Sequence, residues 1–112
     1  MKASPIRIAG KIYPVKYGFA ALRNYCDITG SSMGDLKKFK DEMTLTQAVA
    51  LSWAGLKDGA RVMKKPFDME LDDVADLVDV DEDALFKIMA VFSEQYGSEE
   101  DAKPKKKGSK KK

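Results

Sequence analysis

The sequence contains no histidine and only one cysteine, Cys26. A single thiol cannot form a disulfide within the chain, which is typical of proteins kept in a reducing compartment. Without histidine, the chain cannot build zinc sites of the Cys/His type or the Ser-His-Asp and Cys-His systems that activate a nucleophile. These absences exclude whole classes of catalytic site, and we predict that the protein is not an enzyme.

Long apolar runs are also lacking. No stretch approaches the roughly 20 apolar residues that a membrane-spanning helix needs, and the first ten residues, MKASPIRIAG, lack the apolar region of a signal peptide. The sequence therefore predicts a soluble, cytoplasmic protein that contacts no membrane. No cofactor or metal is expected.

The chain has little excess of either sign of charge, since its net charge is only +2, but the charged residues are unevenly distributed. Residues 99–112 carry seven of the 20 basic residues and three of the 18 acidic ones, which leaves 13 against 15, a net charge of −2, in residues 1–98. Apolar residues also become rare after Gly97. We therefore predict one folded domain over residues 1–97 and a flexible, lysine-rich tail over residues 98–112.

Residues 5–17, PIRIAGKIYPVKY, predict a β-hairpin. Ile6 and Ile8 alternate with a charged residue, and Gly10 can adopt the positive φ of a tight turn. Pro14 has no N–H to donate, so its strand is expected to be an edge strand or to contain a bulge. Because a two-stranded hairpin is not stable alone, its apolar face is expected to pack on helices.

The rest of the domain, residues 18–97, predicts about four helices, because apolar residues recur there with helical spacing. Thr44 and Gln47 form a capping box at the start of the longest helix, which is apolar almost all round and is expected to be central and buried. Leu36 and Phe39 lie three apart and predict a further short amphipathic helix. The predicted fold class is α+β, a hairpin followed by a small helical body.

Each main helix has an apolar face that we expect to form the core. Those faces consist of Phe19, Leu22 and Cys26, widened by Tyr25 and Ile28, in the first helix, Leu45, Val49, Ser52 and Leu56, with Trp53 beside them, in the central one, Leu71, Val74 and Leu77 or Val78 in the next, and Leu85, Ile88, Met89, Phe92 and Tyr96 in the last.

The stretch before the last helix, residues 68–83, contains nine acidic residues and no lysine or arginine. Asp79, Asp81 and Asp83 have the spacing that opens a calcium-binding loop, but alanine stands where that loop needs a glycine and a bidentate glutamate. Acidic residues are favoured at helix N-termini, where they accept backbone N–H groups and oppose the helix dipole. Asp79 or Asp81 is therefore expected to cap the last helix, and a partner-binding acidic face is the alternative.

The order of these segments resembles the small tail assembly chaperones of long-tailed bacteriophages and prophages. The similarity covers about residues 5–97, matches poorly only in SSMGDLKKFKDE, and continues through the apolar helix AVALSWAGLKDG and the segment ELDDVADLVD. It includes no catalytic signature. The matching residues of the hairpin and the first helix are Ile6, Ile8, Gly10, Lys11, Tyr13, Val15, Lys16, Phe19, Leu22, Arg23, Thr29 and Gly30.

The resemblance implies a non-catalytic protein that binds the tape measure protein, keeps it soluble, helps recruit tail tube subunits and is absent from the finished virion. Members of this family are often made in two lengths by ribosomal frameshifting. The run KKKGSKKK at residues 105–112 requires A-rich codons, on which ribosomes slip. The resemblance thus implies that this chain is the shorter product and that its lysines lie at or near the slip site.

Two aromatic residues are candidates for contact with a partner. Phe86 lies off the main apolar face of the last helix, and Tyr25 lies at the edge of the face on the first helix. For both residues the alternative role is packing in the core. The alternative function is a small nucleic-acid-associated protein that uses the C-terminal lysines as an arm, which would bind phosphates through counterion release. The acidic body makes nucleic acid an unlikely partner, because it repels phosphate.

Overall fold

The computed structural model describes residues 2–36 and 43–97. In this part the chain forms a two-stranded hairpin, five α-helices and a final π-helical turn, which confirms the predicted α+β class. The predicted tail and Phe39 lie outside the described residues. The elements are β1 (Ser4–Ile8), β2 (Lys11–Val15), α1 (Phe19–Thr29), α2 (Met33–Leu36), α3 (Leu45–Val62), α4 (Leu71–Val80), α5 (Ala84–Phe92) and the π-helical turn Ser93–Gly97.

The hairpin has the predicted two antiparallel strands, and a two-residue turn joins them. Ala9 and Gly10 both have positive φ, 51° and 84°, as the twist of a tight hairpin turn requires. Gly10 adopts this conformation without strain, whereas Ala9 does so against the preference of its Cβ. The N–H of Ala9 donates to the carboxylate of Asp81 at 3.1 Å, and this long-range hydrogen bond holds the turn.

The strand register places Pro5 opposite Pro14. Ile8 and Lys11 flank the turn and form a hydrogen-bonded pair, and pairs alternate along an antiparallel ladder. The two prolines therefore fall in a non-hydrogen-bonded pair, where a missing N–H removes no ladder bond. Pro14 lies in regular pairing at the edge of the hairpin, without a bulge.

Helix α3 is the centre of the domain and packs against β2, α1, α4 and α5. It crosses β2 at two glycines. A Cβ on Gly55 would overlap the ring of Tyr17, and a Cβ on Gly59 would overlap the backbone carbonyl of Pro14. The absence of these side chains lets the N–H of Lys16 donate to the carbonyl of Gly55 at 3.1 Å.

Polar bonds inside the domain also join elements that are distant in sequence. The Tyr17 hydroxyl donates to the carbonyl of Leu51 in α3 at 2.7 Å, and burial raises the pKa of this phenol well above its usual value. Asp58, only 1% exposed, accepts from Lys16 Nζ at 3.3 Å and from Arg61 Nε at 2.7 Å. The hairpin is thus fixed to α3 by an ion pair as well as by apolar contact.

The core confirms most of the predicted apolar positions but not all of them. Leu22, Leu56, Val74, Ile88 and Phe92 are buried as expected. Three predicted core residues are in fact exposed, namely Phe19 (81%), Leu45 (72%) and Ile28 (42%). Phe19 and Leu45 lie at the first position of a helix. The prediction was wrong there because helical spacing identifies an apolar line along a helix but not how far the neighbouring elements cover it.

The helix starts follow local capping chemistry. Thr44 and Gln47 form the predicted capping box, with Thr44 Oγ1 accepting from the N–H of Gln47 at 3.1 Å. At the last helix the prediction was wrong, because Asp83 is the N-cap residue and makes no side-chain capping bond. Asp81 instead accepts from the N–H of Asp83 at 3.1 Å as well as from Ala9, while Asp79 is exposed.

None of the helices in the described ranges combines the length and the apolar character needed to cross a bilayer.

Candidate binding groove

An apolar groove lies between α1 and α2. Its volume is about 560 Å³, and it is open to solvent along one side. Its lining consists of Phe19, Ala20, Leu22, Arg23, Cys26, Ser31, Met33 and Leu36. Among the described residues that line the groove, Arg23 is the only charged one, so this lining can accept apolar surface with little polar desolvation.

The sharp end of α1 creates this groove. Gly30 has a φ of 73° and donates its N–H to the carbonyl of Cys26 at 2.8 Å, which ends the helix in the left-handed conformation. The side chains of Thr29 and Ser31 are hydrogen-bonded at 2.8 Å across this reversal. The chain therefore turns back within a few residues and places α2 beside α1.

The start of α2 is fixed by reciprocal hydrogen bonds. The N–H of Ser32 donates to Asp35 Oδ2 at 2.9 Å, and the N–H of Asp35 donates to Ser32 Oγ at 3.3 Å. This is the geometry of a capping box. Because both donors are satisfied locally, the short α2 is held in place and its apolar residues, Met33 and Leu36, are presented to the groove.

The groove has a buried floor and an exposed apolar rim. Leu22 and Leu36 are buried and join the main core, whereas Phe19 is 81% and Met33 is 68% exposed. Large apolar side chains around a concavity mark interaction surfaces in soluble proteins. Methionine, with its flexible thioether chain, can repack against different partner shapes.

Two ionisable groups of α1 have shifted pKa values. Burial, and to a lesser degree the carboxylate of Asp35, raises the pKa of the Cys26 thiol, which lines the groove. Burial also raises the pKa of the Tyr25 phenol. A raised pKa lowers the reactivity of a thiol near neutral pH.

Two other grooves on the described part of the domain are more polar. One, of about 660 Å³, lies between β2 and the segment after α3, and four charged residues line it: Lys11, Lys65, Asp68 and Asp73. The other, of about 410 Å³, is lined partly by Glu70 and Asp72. Within the described ranges, no cluster of three or more metal-ligating side chains occurs. The α1–α2 groove is therefore the best candidate for binding apolar protein surface.

The structure separates the two residues predicted to contact a partner. Tyr25 is fully buried in the core, the alternative role expected for it, so its side chain presents no surface to a partner. The reason is that α1 packs on α3 through the face carrying Ala21, Leu22 and Tyr25. Phe86 is 76% exposed, as contact with a partner requires, but it belongs to α5 and does not line the groove.

Sequence reasoning did not identify Met33 or Arg23 as groove residues and assigned Phe19 to the core. The available signal was indirect. Gly30 indicates a sharp helix end, and an apolar residue three positions later in a short segment indicates that the chain returns alongside α1. How much of Phe19 stays uncovered depends on tertiary packing, which the spacing of apolar residues does not report.

No protein-family model, no curated protein and no solved structure matches this chain.

Proposed function

We propose that this protein is a non-catalytic tail assembly chaperone of a long-tailed phage or prophage, acting in the host cytoplasm. The α1–α2 groove binds an apolar helical segment of the tape measure protein and keeps it soluble until tail tube subunits enclose it. The observation that carries this proposal is the pair of exposed residues, Phe19 and Met33, on the rim of a preformed apolar groove.

The physical basis is the covering of surface that would otherwise aggregate. A long helical protein that is later enclosed in a tube exposes apolar faces before assembly, and such faces associate with one another. A helix can place its apolar ridge in a groove of this kind through a few anchor residues.

Co-expression with the tape measure protein of the same phage or prophage tests the proposal. The soluble fraction of the tape measure protein is expected to be high with the unchanged chain and low with the double variant Phe19→Ser, Met33→Ser. Phe86→Ser is the matched control, because it also removes an exposed aromatic side chain but lies outside the groove. Equal solubility with all three chains would contradict the groove's role.

The nucleic-acid alternative depends on the lysine-rich tail, which lies outside the described residues. It requires DNA binding that disappears when residues 103–112 are deleted and that weakens steeply with salt, with a log–log slope of roughly −4.5 if about five phosphates are contacted. The chaperone proposal expects tape measure solubility to survive that deletion. The two functions are thus distinguished by one truncated chain in two assays.

A further inference from the structure

We infer that the groove selects an amphipathic helix that carries a carboxylate beside its apolar ridge, and that Arg23 recognises this carboxylate. The inference rests on the proposed function in one respect: it takes the α1–α2 groove as the binding site. It goes further by assigning the chemical class of the partner segment and a residue that determines specificity.

The spacing of the groove residues on α1 favours a helical occupant. Phe19, Leu22 and Cys26 lie three and four residues apart and so form one line along the helix. The groove therefore runs beside the axis of α1. A partner helix lying along it would place its own ridge of residues, spaced three and four apart, between the side chains of α1 and α2.

Arg23 lies within this line, one turn after Phe19 and one turn before Cys26. It is exposed, and it forms no ion pair with any residue in the described part of the chain. The nearest acidic residue along α1 is Asp27, one turn further on and also exposed. On the α2 side, the Asp35 carboxylate accepts from the N–H of Ser32.

A guanidinium that has no ion-pair partner among the described residues and lies at the edge of an apolar groove is expected to prefer a carboxylate on the partner. Its aliphatic stem can lie on apolar surface while the head stays at the rim. The planar head binds a carboxylate through two parallel hydrogen bonds, whereas a lysine or arginine placed opposite would be repelled. Because residues 1–98 carry a net charge of −2, long-range attraction does not favour an acidic partner, and the preference must come from Arg23 locally.

Three synthetic helical peptides test this inference. They share one leucine ridge and differ only at a single flanking position, which is Glu, Gln or Lys. Their affinities for the full chain are measured by fluorescence anisotropy at physiological salt. We expect the Glu peptide to bind about two- to five-fold more tightly than the Gln peptide, as partly exposed ion pairs do, and the Lys peptide to bind most weakly.

Variants of the chain then assign the preference to one residue. Arg23→Glu is expected to reverse the order of the three peptides. Lys64→Glu is the matched control, because it changes the net charge by the same amount at an exposed residue outside the groove lining, and it should preserve the order. The double variant Phe19→Ser, Met33→Ser should weaken the binding of all three peptides.

The outcomes distinguish this inference from the proposed function. Equal affinities for the three peptides, or an order that Arg23→Glu leaves unchanged, would overturn the role of Arg23 while the groove remained a binding site. Failure of every peptide to bind would also overturn the inference. The proposed function is judged separately, by the solubility of the intact tape measure protein with and without the groove variants.

Discussion

At the scale of single residues, the fold depends on two positions where a side chain is missing. Gly55 and Gly59 weaken α3 as an isolated helix, since glycine costs about 1 kcal/mol relative to alanine in a helix interior. In the domain, both are required because Tyr17 and the backbone of Pro14 occupy the space that a Cβ would fill. The steric requirement of the β2 crossing outweighs the helix propensity of these two positions.

Replacing Gly59 with alanine is expected to lower the free energy of unfolding by about 2 kcal/mol or more, because the overlap with a backbone carbonyl costs more than the gain in propensity. Gly55→Ala should be similarly destabilising, since the Tyr17 ring is held by its hydroxyl bond and by an edge contact with Phe92. Gly34→Ala is the control, with only an ordinary contact to Ser32. Urea unfolding measures all three, and a neutral Gly59→Ala would contradict the close crossing.

The ionisation of Asp81 makes the free energy of unfolding depend on pH in the acidic range. The hydrogen bond from the Ala9 N–H, followed by the nearby Lys87, lowers the pKa of this carboxyl. A lowered pKa in the folded state means that the stabilisation is present above the unfolded-state pKa and is lost as pH falls through the folded-state pKa. We therefore expect Asp81→Asn to be less stable than the unchanged chain at pH 7 and the difference to shrink as pH falls from the unfolded-state pKa through the lower folded-state pKa, by urea unfolding.

The control for this titration is Asp79→Asn, two residues away. Asp79 is exposed, and in the described part of the chain it makes no ion pair or side-chain hydrogen bond. The free energy of unfolding of Asp79→Asn should follow that of the unchanged chain from pH 2 to pH 7. If the difference in free energy of unfolding between Asp81→Asn and the unchanged chain stayed constant from pH 2 to pH 7, the charge of Asp81 would not contribute to stability.

At the scale of elements, local chemistry accounts for where several helices begin and end. The Thr44 capping box, the glycine end of α1 and the hairpin turn all follow from residues adjacent in sequence, and the capping box and the turn were predicted correctly. The face that each helix buries was less predictable. Phe19 and Leu45 belong to apolar lines and are nevertheless exposed, because burial depends on partners that lie far away in the sequence.

The capping box of α3 provides a direct test at this scale. Thr44→Ala removes the side chain that accepts from the N–H of Gln47 and is expected to cost about 1 kcal/mol of unfolding free energy. Thr46→Ala is the matched control, since Thr46 is an exposed residue of the first helical turn and is not the cap. Thermal unfolding of both variants measures the difference. Equal midpoints would show that the box does not stabilise α3.

At the scale of the whole molecule, the arrangement of the hairpin and the helices, here called the frame, and the α1–α2 groove are built from different kinds of contact. Long-range hydrogen bonds fix the frame, such as those from the Gln95 side chain to Lys2 and Ser4 and from the Tyr17 N–H to Gln95. The groove is built within one local segment, residues 19–36. Changes at its exposed rim should therefore alter binding without unfolding the domain.

The same separation explains what could be predicted about the site. The contact residues chosen from the sequence were one aromatic that is exposed in the structure, Phe86, and one that is buried, Tyr25. The concave surface could not be derived from periodicity, because it depends on the angle at which α2 returns after Gly30. The hydrogen bonds between Ser32 and Asp35 at the start of α2 likewise leave no trace in the spacing of apolar residues.

The most direct test of the central claim, that a partner segment lies in the α1–α2 groove, uses the chain's one cysteine, which lines that groove. The rate of Cys26 alkylation is measured at about pH 8.5, because its pKa is raised, for the free chain and for the co-purified complex with the tape measure protein. A Cys26→Ala, Val80→Cys chain reports on an exposed site outside the groove. Slower alkylation of Cys26 in the complex, with an unchanged rate at position 80, is the expected result. An unchanged rate at Cys26 in an intact complex would contradict the claim.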